Sequence, residues 1–425
     1  MINIFKDDIK LEKILNREIQ SFGNLENTVD EIIENVIKNG DKAVLEYSRK
    51  FDCPDLNTME VSKEEIENGY NNTSEELLQI LREAKSNIEL FHKKQLKDGF
   101  RIEKENGIIL GQKYTPIEKV GIYVPGGTAA YPSTVLMNAI PAKIAGVSQI
   151  IMVTPCGKDG KIKNEILAAA KICGVDRIFK CGGAQAIAAL AYGTESIPNV
   201  YKIVGPGNIY VALAKKAVFG KVSIDMIAGP SEILIIADKS ANPNYVAADL
   251  LSQAEHDKLA TAVLVTDSEE LAKQTSTVLE ERIKKLPRCD IARESIDTNG
   301  KIIIVDNIDK AIEISNSIAP EHLELCVNDP FSILDKITNA GSIFMGHNTP
   351  EAIGDYFAGP NHTLPTGGSA KFSSPLSVDD FVKKSAYSFY PEKATLDAMD
   401  KISKFAKVEG LDAHAESVLT RGGKA

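Results

Sequence analysis

Residues 149–192, QIIMVTPCGKDGKIKNEILAAAKICGVDRIFKCGGAQAIAALAY, alternate between two textures. QIIMVT (149–154) and RIFKC (177–181) are short β-rich runs, whereas 162–173 and 184–192 carry helical patterning. Alternation of this kind predicts parallel strands joined by helical crossovers. The pattern extends in both directions. Further β-rich runs are VGIYV (120–124), YKIVG (201–205), EILIIAD (232–238), AVLVT (262–266), KIIIV (301–305), LELCV (323–327) and SIFMG (342–346). Helical segments at 243–254, 267–285 and 307–318 separate the later ones. About nine strands are many for one mononucleotide-type unit, so two α/β domains are expected.

The flanks differ. The first hundred residues read as helical, with T-x-x-E capping boxes at Thr28–Glu31 and Thr73–Glu76. Apolar stripes follow each box, and Asn39-Gly40 is expected to end the first helix. A hairpin is predicted between about Phe100 and Tyr114, turning at Asn106-Gly107. After about residue 376 the sequence is helix-rich and strand-poor, too little for a core of its own, and reads as a tail that packs elsewhere or on another subunit. No internal repeat is evident in the sequence.

Composition excludes whole classes. The chain has 425 residues, 43% apolar and 25% charged, which are globular proportions. Lys+Arg total 49 against Asp+Glu 59, a net charge of −10 that argues against a nucleic-acid binder. No apolar run of about 18 residues exists to span a bilayer. The start, MINIFKDDIK, lacks the apolar stretch of a secretory signal, so a cytoplasmic location is expected. Six cysteines without a C-x-x-C pair read as free thiols in a reducing compartment. Of these, Cys181 is the one tempting nucleophile, with buried packing the better reading. Five of the six histidines fall after residue 255.

Three features carry chemistry. The glycine-rich turns GIYVPGG (121–127), CGGAQA (181–186) and VGPGN (204–208) would let backbone N–H groups approach phosphates, though α/β turns use glycine for conformation as well. Neither G-x-G-x-x-G nor G-x-x-x-x-G-K-[ST] is present, so any dinucleotide site is atypical. Second, Gln253 and His256 share a helix face, Asp355 lies seven residues before His362, and Glu409 lies five before His414. A His/Asp/His set with an amide oxygen suits zinc or another borderline divalent ion. Taken alone, any one of these histidines reads first as a hydrogen-bonded structural residue. Third, Glu321-His322 in APEHLEL pairs a carboxylate with an imidazole just before a strand, read as a position where parallel sheets place active sites. Both can serve one site only if they precede the strand proper. His92 reads as a solvated helix residue, and His347 is undecided.

Together these stretches resemble the histidinol dehydrogenase family. The resemblance runs from about residue 120 to the C-terminus through VGIYVPGGTAAYPSTVLMNAIPAKIAGV, CGGAQAIAALAYGT, KIVGPGN, IDMIAGPSEILIIAD, ADLLSQAEHD, IAPEHLEL, GDYFAGPNHTLPTGGSAKFSSPLSV and EGLDAHAESVLTR. It implies oxidation of L-histidinol to L-histidine through histidinal, with two NAD molecules reduced. It implies zinc held by Gln253, His256, Asp355 and His414, the last supplied by the partner subunit's tail. Glu321 and His322 become the base pair. Substrate contacts fall on Ser231, His362 and Glu409, joined by Gln253, His256, His322, Asp355 and His414. Cofactor contacts fall on Tyr123, Gln185 and Asn208. Cys181 departs from the family, which often has an aliphatic residue there.

The expected fold class is α/β: two parallel-sheet, incomplete Rossmann-like domains with a helical N-terminal segment and a helical C-terminal tail used in dimerisation. The implied division is 25–122 plus 233–375 for zinc and base residues, 123–232 for NAD, 1–24 plus 376–394 as a small helical dimerisation domain, and 395–425 as the tail reaching the partner's site. The expected partners are L-histidinol and a second copy of the chain, with no nucleic acid or membrane. The nearest rival is a zinc- and NAD-dependent relative acting on another small alcohol, such as a sulfonated diol. A zinc hydrolase is the rival from another reaction class, and a metal-binding scaffold the non-enzymatic one.

Overall fold

The computed structural model of the chain describes residues 2–6, 23–126 and 130–423. Two compact units divide it: one comprises residues 1–95 and 117–381, the other 96–116 and 382–425. Gly127 of the first glycine turn and residues 7–22 of the expected helical N-terminal segment lie outside the described residues.

All nine predicted strands of the α/β region form, in two parallel sheets of the first unit. Across the five-stranded sheet the order is Arg177–Lys180, Gln149–Thr154, Lys119–Tyr123, Lys202–Val204 and a two-residue strand, Ser223–Ile224. Across the six-stranded sheet it is Asn3–Lys6, Lys301–Ile304, Thr261–Thr266, Glu232–Ala237, His322–Cys326 and Ser342–Met345. Every neighbour is parallel. Numbered by sequence within each sheet, and setting aside Asn3–Lys6, both wind 3-2-1-4-5. The repeat that is invisible in the sequence is therefore present in the topology.

Parallel sheets carry helices on both faces, so their strands are apolar throughout rather than alternating. Glu232–Ala237 is buried at all six positions. The helices Gly23–Phe51 and Gly183–Tyr192 help close one face of the five-stranded sheet, through Val29, Ile33, Val36, Ile187 and Leu190 against Ile151 and Val153. Pro243–Ala254 covers one face of the six-stranded sheet with Val246, Leu250 and Leu251, while Ala311 and Ile312 of Ile308–Ile318 pack on the other.

Several local expectations are corrected. Thr28 lies inside the helix Gly23–Phe51 and is no cap; its hydroxyl donates to the Asn24 carbonyl at 3.0 Å. The helix does break at Gly40, whose φ of 52° and ψ of −133° are non-helical. The second box is displaced by one residue: Ser74 caps Glu75–Lys93, and Thr73 donates to Gly69. A complete capping box forms at Ser62–Glu65. His92 is fully buried rather than solvated, because it continues the Leu78, Leu81, Ala84, Ile88 stripe, and its Nδ1 faces the Ile88 carbonyl at 2.9 Å. Pro132–Ala145 is an unpredicted helix. Ten of its fourteen residues are buried, so it has no polar face to give a helical period.

Both expected helical ends contain strand. Asn3–Lys6 pairs in parallel with Lys301–Ile304. Within 376–394, Val382–Phe389 pairs antiparallel with Ile109–Pro116 over eight residues. In the second unit that strand and Phe100–Glu103 flank Ile109–Pro116, and the predicted hairpin turns with Gly107 at φ 78°. Val382–Phe389 escapes a period-2 reading because its residues are almost all exposed. The helices Glu392–Val408 and Asp412–Leu419 complete this unit, as a helix-rich tail predicts.

Candidate active site

The carboxyl ends of the five-stranded sheet open into a cleft of about 1470 Å³. Tyr123, Gln185 and Asn208 all line it, with Gly126, Pro155, Gly182 and Gly183. A doubly wound sheet binds ligands here, where the strand order reverses between Lys119–Tyr123 and Lys202–Val204. Glycine is required by packing: a Cβ on Gly126 would stand 2.4 Å from Pro155. Gly205 has φ 116° and lies so close to the Tyr123 carbonyl that a Cβ would approach it to 2.1 Å. Its N–H donates to Asp225 at 2.7 Å, and Asp225 pairs with the buried Lys215, which also donates to the Gly205 carbonyl at 3.0 Å. That buried ion pair fixes the turn ahead of Asn208, which caps Ile209–Val218. The Tyr123 hydroxyl accepts the Gly183 N–H at 3.1 Å, and burial pushes its ionisation up to about 12.

The polar cluster lies at the opposite edge of the other sheet. Glu232 and His322 begin adjacent parallel strands, with Glu321 just before its strand. This placement corrects the reading of the Glu321-His322 position: it is the amino edge of the six-stranded sheet, not the carboxyl edge where such sheets usually bind ligands. Each crossover helix runs back along the sheet, so the C-terminal turn of Pro243–Ala254 brings Gln253 and His256 to this edge. The short helix Glu351–Ile353 continues into a π-turn over Gly354–Ala358, which carries Asp355. A side chain on Gly354 would collide with Phe344 at 2.4 Å, and Phe344 stacks on His322 with centroids 6.0 Å apart.

Distances tie the cluster together. Glu321 Oε2 accepts the Glu232 N–H at 2.9 Å and lies 3.7 Å from His322 Nδ1. That Nδ1 sits 3.1 Å from the Glu232 carbonyl, its hydrogen-bond acceptor. His322 Nε2 is buried without a hydrogen-bond partner, 3.8 Å from both Glu351 Oε1 and Asp355 Oδ1. With its amide oriented to satisfy both neighbours, Gln253 donates to the Glu351 carboxylate at 2.7 and 3.0 Å and accepts from the Glu232 N–H at 3.1 Å.

So many acids in a dry pocket cannot all be charged. Burial pushes Glu321 up to about 8 against the pull of His322, and Glu351 up to about 7 for the same reason. Burial opposes the charge on His322, but Glu351, Glu321 and Asp355 outweigh it and hold the imidazole well above its usual range. Asp355 goes the other way: despite burial, the nearby imidazoles of His322, His362 and His256 keep it ionised. Burial lowers His256 and His362, both facing Asp355.

The ligand atoms of His322, Glu351 and Asp355 lie within 4.8 Å of one another, a grouping with metal-ligating geometry. It shares only Asp355 with the set implied by resemblance. Gln253 touches the group through Glu351, and His256 bears on it electrostatically. His362 Nδ1 lies 3.1 Å from the Asp355 carbonyl, and Ser231 precedes Glu232 at the same edge. Glu409 and His414 are exposed residues of the second unit. His347 stands at the carboxyl edge, its Nε2 3.1 Å from the Ser240 hydroxyl. Sequence reading missed Glu351 and Glu232. Glu351 is one helical turn before Asp355, a spacing that could have disclosed it; the contribution of Glu232 is largely backbone and leaves no signature. Cys181 is wholly buried and its thiol is pushed well up by burial, as expected of a packing residue.

Pro132–Ala145, the helix that follows the first glycine turn, is tied to the segment carrying His362. Asn361, next to His362, donates to its Met137 carbonyl at 2.6 Å.

A family model described as histidinol dehydrogenase matches residues 15–422. The chain is 55% identical to a histidinol dehydrogenase of Clostridium acetobutylicum, over 96% of this chain and 95% of that one. It is 54% identical to one of Lactococcus lactis, over 96% of each. A crystal structure of histidinol dehydrogenase from Elizabethkingia anophelis superposes with a TM-score of 0.94 at 41% identity, covering 99% of this chain and 98% of that one. Sheet winding, the glycine-lined cleft, the buried acid–imidazole cluster and near-complete matches at this identity lead to one assignment: the chain belongs to the histidinol dehydrogenase family, and is an oxidoreductase.

Proposed function

We propose that the chain oxidises L-histidinol to L-histidine through histidinal, with zinc and NAD, as a homodimer whose sites are shared between subunits. The observation that carries this reading is the Glu321–His322 pair buried beside Gln253, Glu351 and Asp355 in a chain so close to named histidinol dehydrogenases.

The residues fit a divalent cation. His322 Nε2 is an orphaned buried nitrogen facing two carboxylates, and three buried carboxyls share one pocket. A cation held beside this pocket would offset the carboxylates' repulsion in place of protons, leaving His322 neutral and its Nε2 free to act as a base. Gln253, His256 and Asp355 would hold zinc from this chain, with the partner subunit's His414 as the fourth ligand. Exposure of His414 and Glu409 on the second unit leaves both available to another subunit. When bound, zinc positions the substrate's imidazole and amine, and NAD accepts hydride.

The chain's own groups do the rest. His322, its ring fixed by Nδ1 against the Glu232 carbonyl and by Phe344, takes the alcohol proton at Nε2. Glu321, oriented by the Glu232 N–H, activates the water that hydrates histidinal, and His322, once it has released its first proton to solvent, accepts the hydrate's proton in the second oxidation. Ser231, His362 and the partner subunit's Glu409 would contact the substrate. No thiol is required, in keeping with the burial of Cys181. The test is formation of reduced nicotinamide from histidinol and NAD. Two equivalents per histidine, lost with a chelator and restored by zinc, are expected. A sulfonated diol outperforming histidinol, or hydrolysis without reduction of NAD, would contradict the reading.

A further inference from the structure

Asp52 follows the helix Gly23–Phe51 and lines the cleft at the carboxyl ends of the five-stranded sheet. Its Oδ2 is buried and has no hydrogen-bond partner. This is an unfavourable setting in three respects. A buried carboxylate oxygen without a donor forfeits its hydration. The end of a helix is its negative pole, which disfavours an anion. The nearby cation, Lys158, spends its ammonium on the Phe51 carbonyl at 3.1 Å. Burial accordingly pushes Asp52 up to about 6, with Lys158 only partly opposing. A costly group kept in a cleft is a candidate for ligand contact.

Its neighbours fix where in the cleft it acts. The Asp52 charge is felt by Tyr123, Cys156 and Cys181, which lie at the ends of the first three strands of the 3-2-1-4-5 sheet. Dinucleotide-binding sheets of this winding place an acid near the end of the second strand, where it binds a ribose hydroxyl. Here the second strand runs into Pro155-Cys156-Gly157-Lys158, and the acid that follows, Asp159, turns a carboxylate oxygen back to accept the Lys161 N–H at 3.1 Å. Asp52, arriving from an unrelated helix, stands beside Cys156 instead.

We propose that Asp52 accepts the adenosine-ribose hydroxyl of the dinucleotide and thereby makes the cleft select NAD over its 2′-phosphorylated form. A hydroxyl supplies the donor Oδ2 lacks, whereas a 2′-phosphate would bring two or more like charges against a buried carboxylate. The inference rests on the reading of this cleft as the NAD site.

The test compares parent, Asp52→Asn, Asp52→Ala and Asp52→Glu for histidinol-driven reduction of NAD and of NADP, with melting temperatures of each. Loss of a hydrogen bond to a charged group corresponds to roughly a 10- to 100-fold rise in KM for NAD, with kcat within about twofold. The preference for NAD over NADP narrows by at least about tenfold, and Asp52→Glu recovers part of it. Because the unpartnered charge is gone, Asp52→Asn should melt no lower than the parent. An unchanged KM for NAD in either folded variant overturns the proposal. So does a fall in melting temperature or kcat without a change in nucleotide preference. If the parent itself reduces neither nucleotide with histidinol, the reading of the cleft has failed instead.

Discussion

The two parallel sheets of the first unit share one winding and use opposite edges. In the five-stranded sheet the carboxyl edge is open: Gly126, Gly182 and Gly183 keep side chains out of the turns, and the cleft forms above them. In the six-stranded sheet the equivalent first strand runs straight into Asp238. Its carboxylate takes the Ser240 N–H at 2.8 Å and the Asn328 N–H at 3.1 Å, donors of the kind a bound anion would use. One edge keeps its turns clear of side chains, and the other is filled by a carboxylate. Chemistry then moves to the amino edge of the second sheet, where returning helix ends and pre-strand residues bring Gln253, His256, Glu321 and His322 together. A shared topology therefore does not dictate a shared site; side chains at the strand ends decide which edge is available.

Removing the amino-edge base should have the largest effect. His322→Ala is expected to lower turnover by roughly 10²–10⁴-fold while NAD still binds, because the cleft lies on the other sheet. Steady-state kinetics with a separate nucleotide-binding measurement would check both halves, and loss of both together would break the separation of the two edges. Filling the open edge should have a smaller effect. Gly126→Ala places a methyl 2.4 Å from Pro155, an overpacking of about 1–3 kcal/mol, and should raise KM for NAD roughly tenfold with zinc content unchanged.

The self-satisfied edge gives the smallest change. Asp238 is partly buried, which would raise its pKa, but hydrogen bonds from Ser240 and Asn328 outweigh this and keep it below the usual carboxylate range. Its contribution is therefore present above the unfolded value near pH 4 and lost as the pH falls through the folded one. Asp238→Asn should cost about 1 kcal/mol at neutral pH, less in acid, and leave turnover intact. Urea melts at several pH values would show this, and a large activity loss would show that the carboxyl edge is in use after all.

The strands of both sheets were legible because parallel strands are apolar runs bounded by polar turns, as in Glu232–Ala237. Features defined by contact rather than pattern were not. Pro132–Ala145 is buried all round, and Val382–Phe389 is exposed all along, so neither carries a period. In the site, Glu321, His322 and Gln253 stood out by residue type, but which edge they occupy depends on helix direction and strand register. His92 shows the reverse error: a residue called solvated by its type sits on a buried stripe that its spacing from Ile88 already marked.

Anomalous diffraction from zinc-loaded crystals tests most directly whether the amino edge is the catalytic centre. A single peak per subunit among Gln253, His256 and Asp355, within reach of the partner subunit's His414, is the expected result. A peak at the carboxyl edge beside Asp238 and Asp267, or zinc bound away from both sheets, would contradict it.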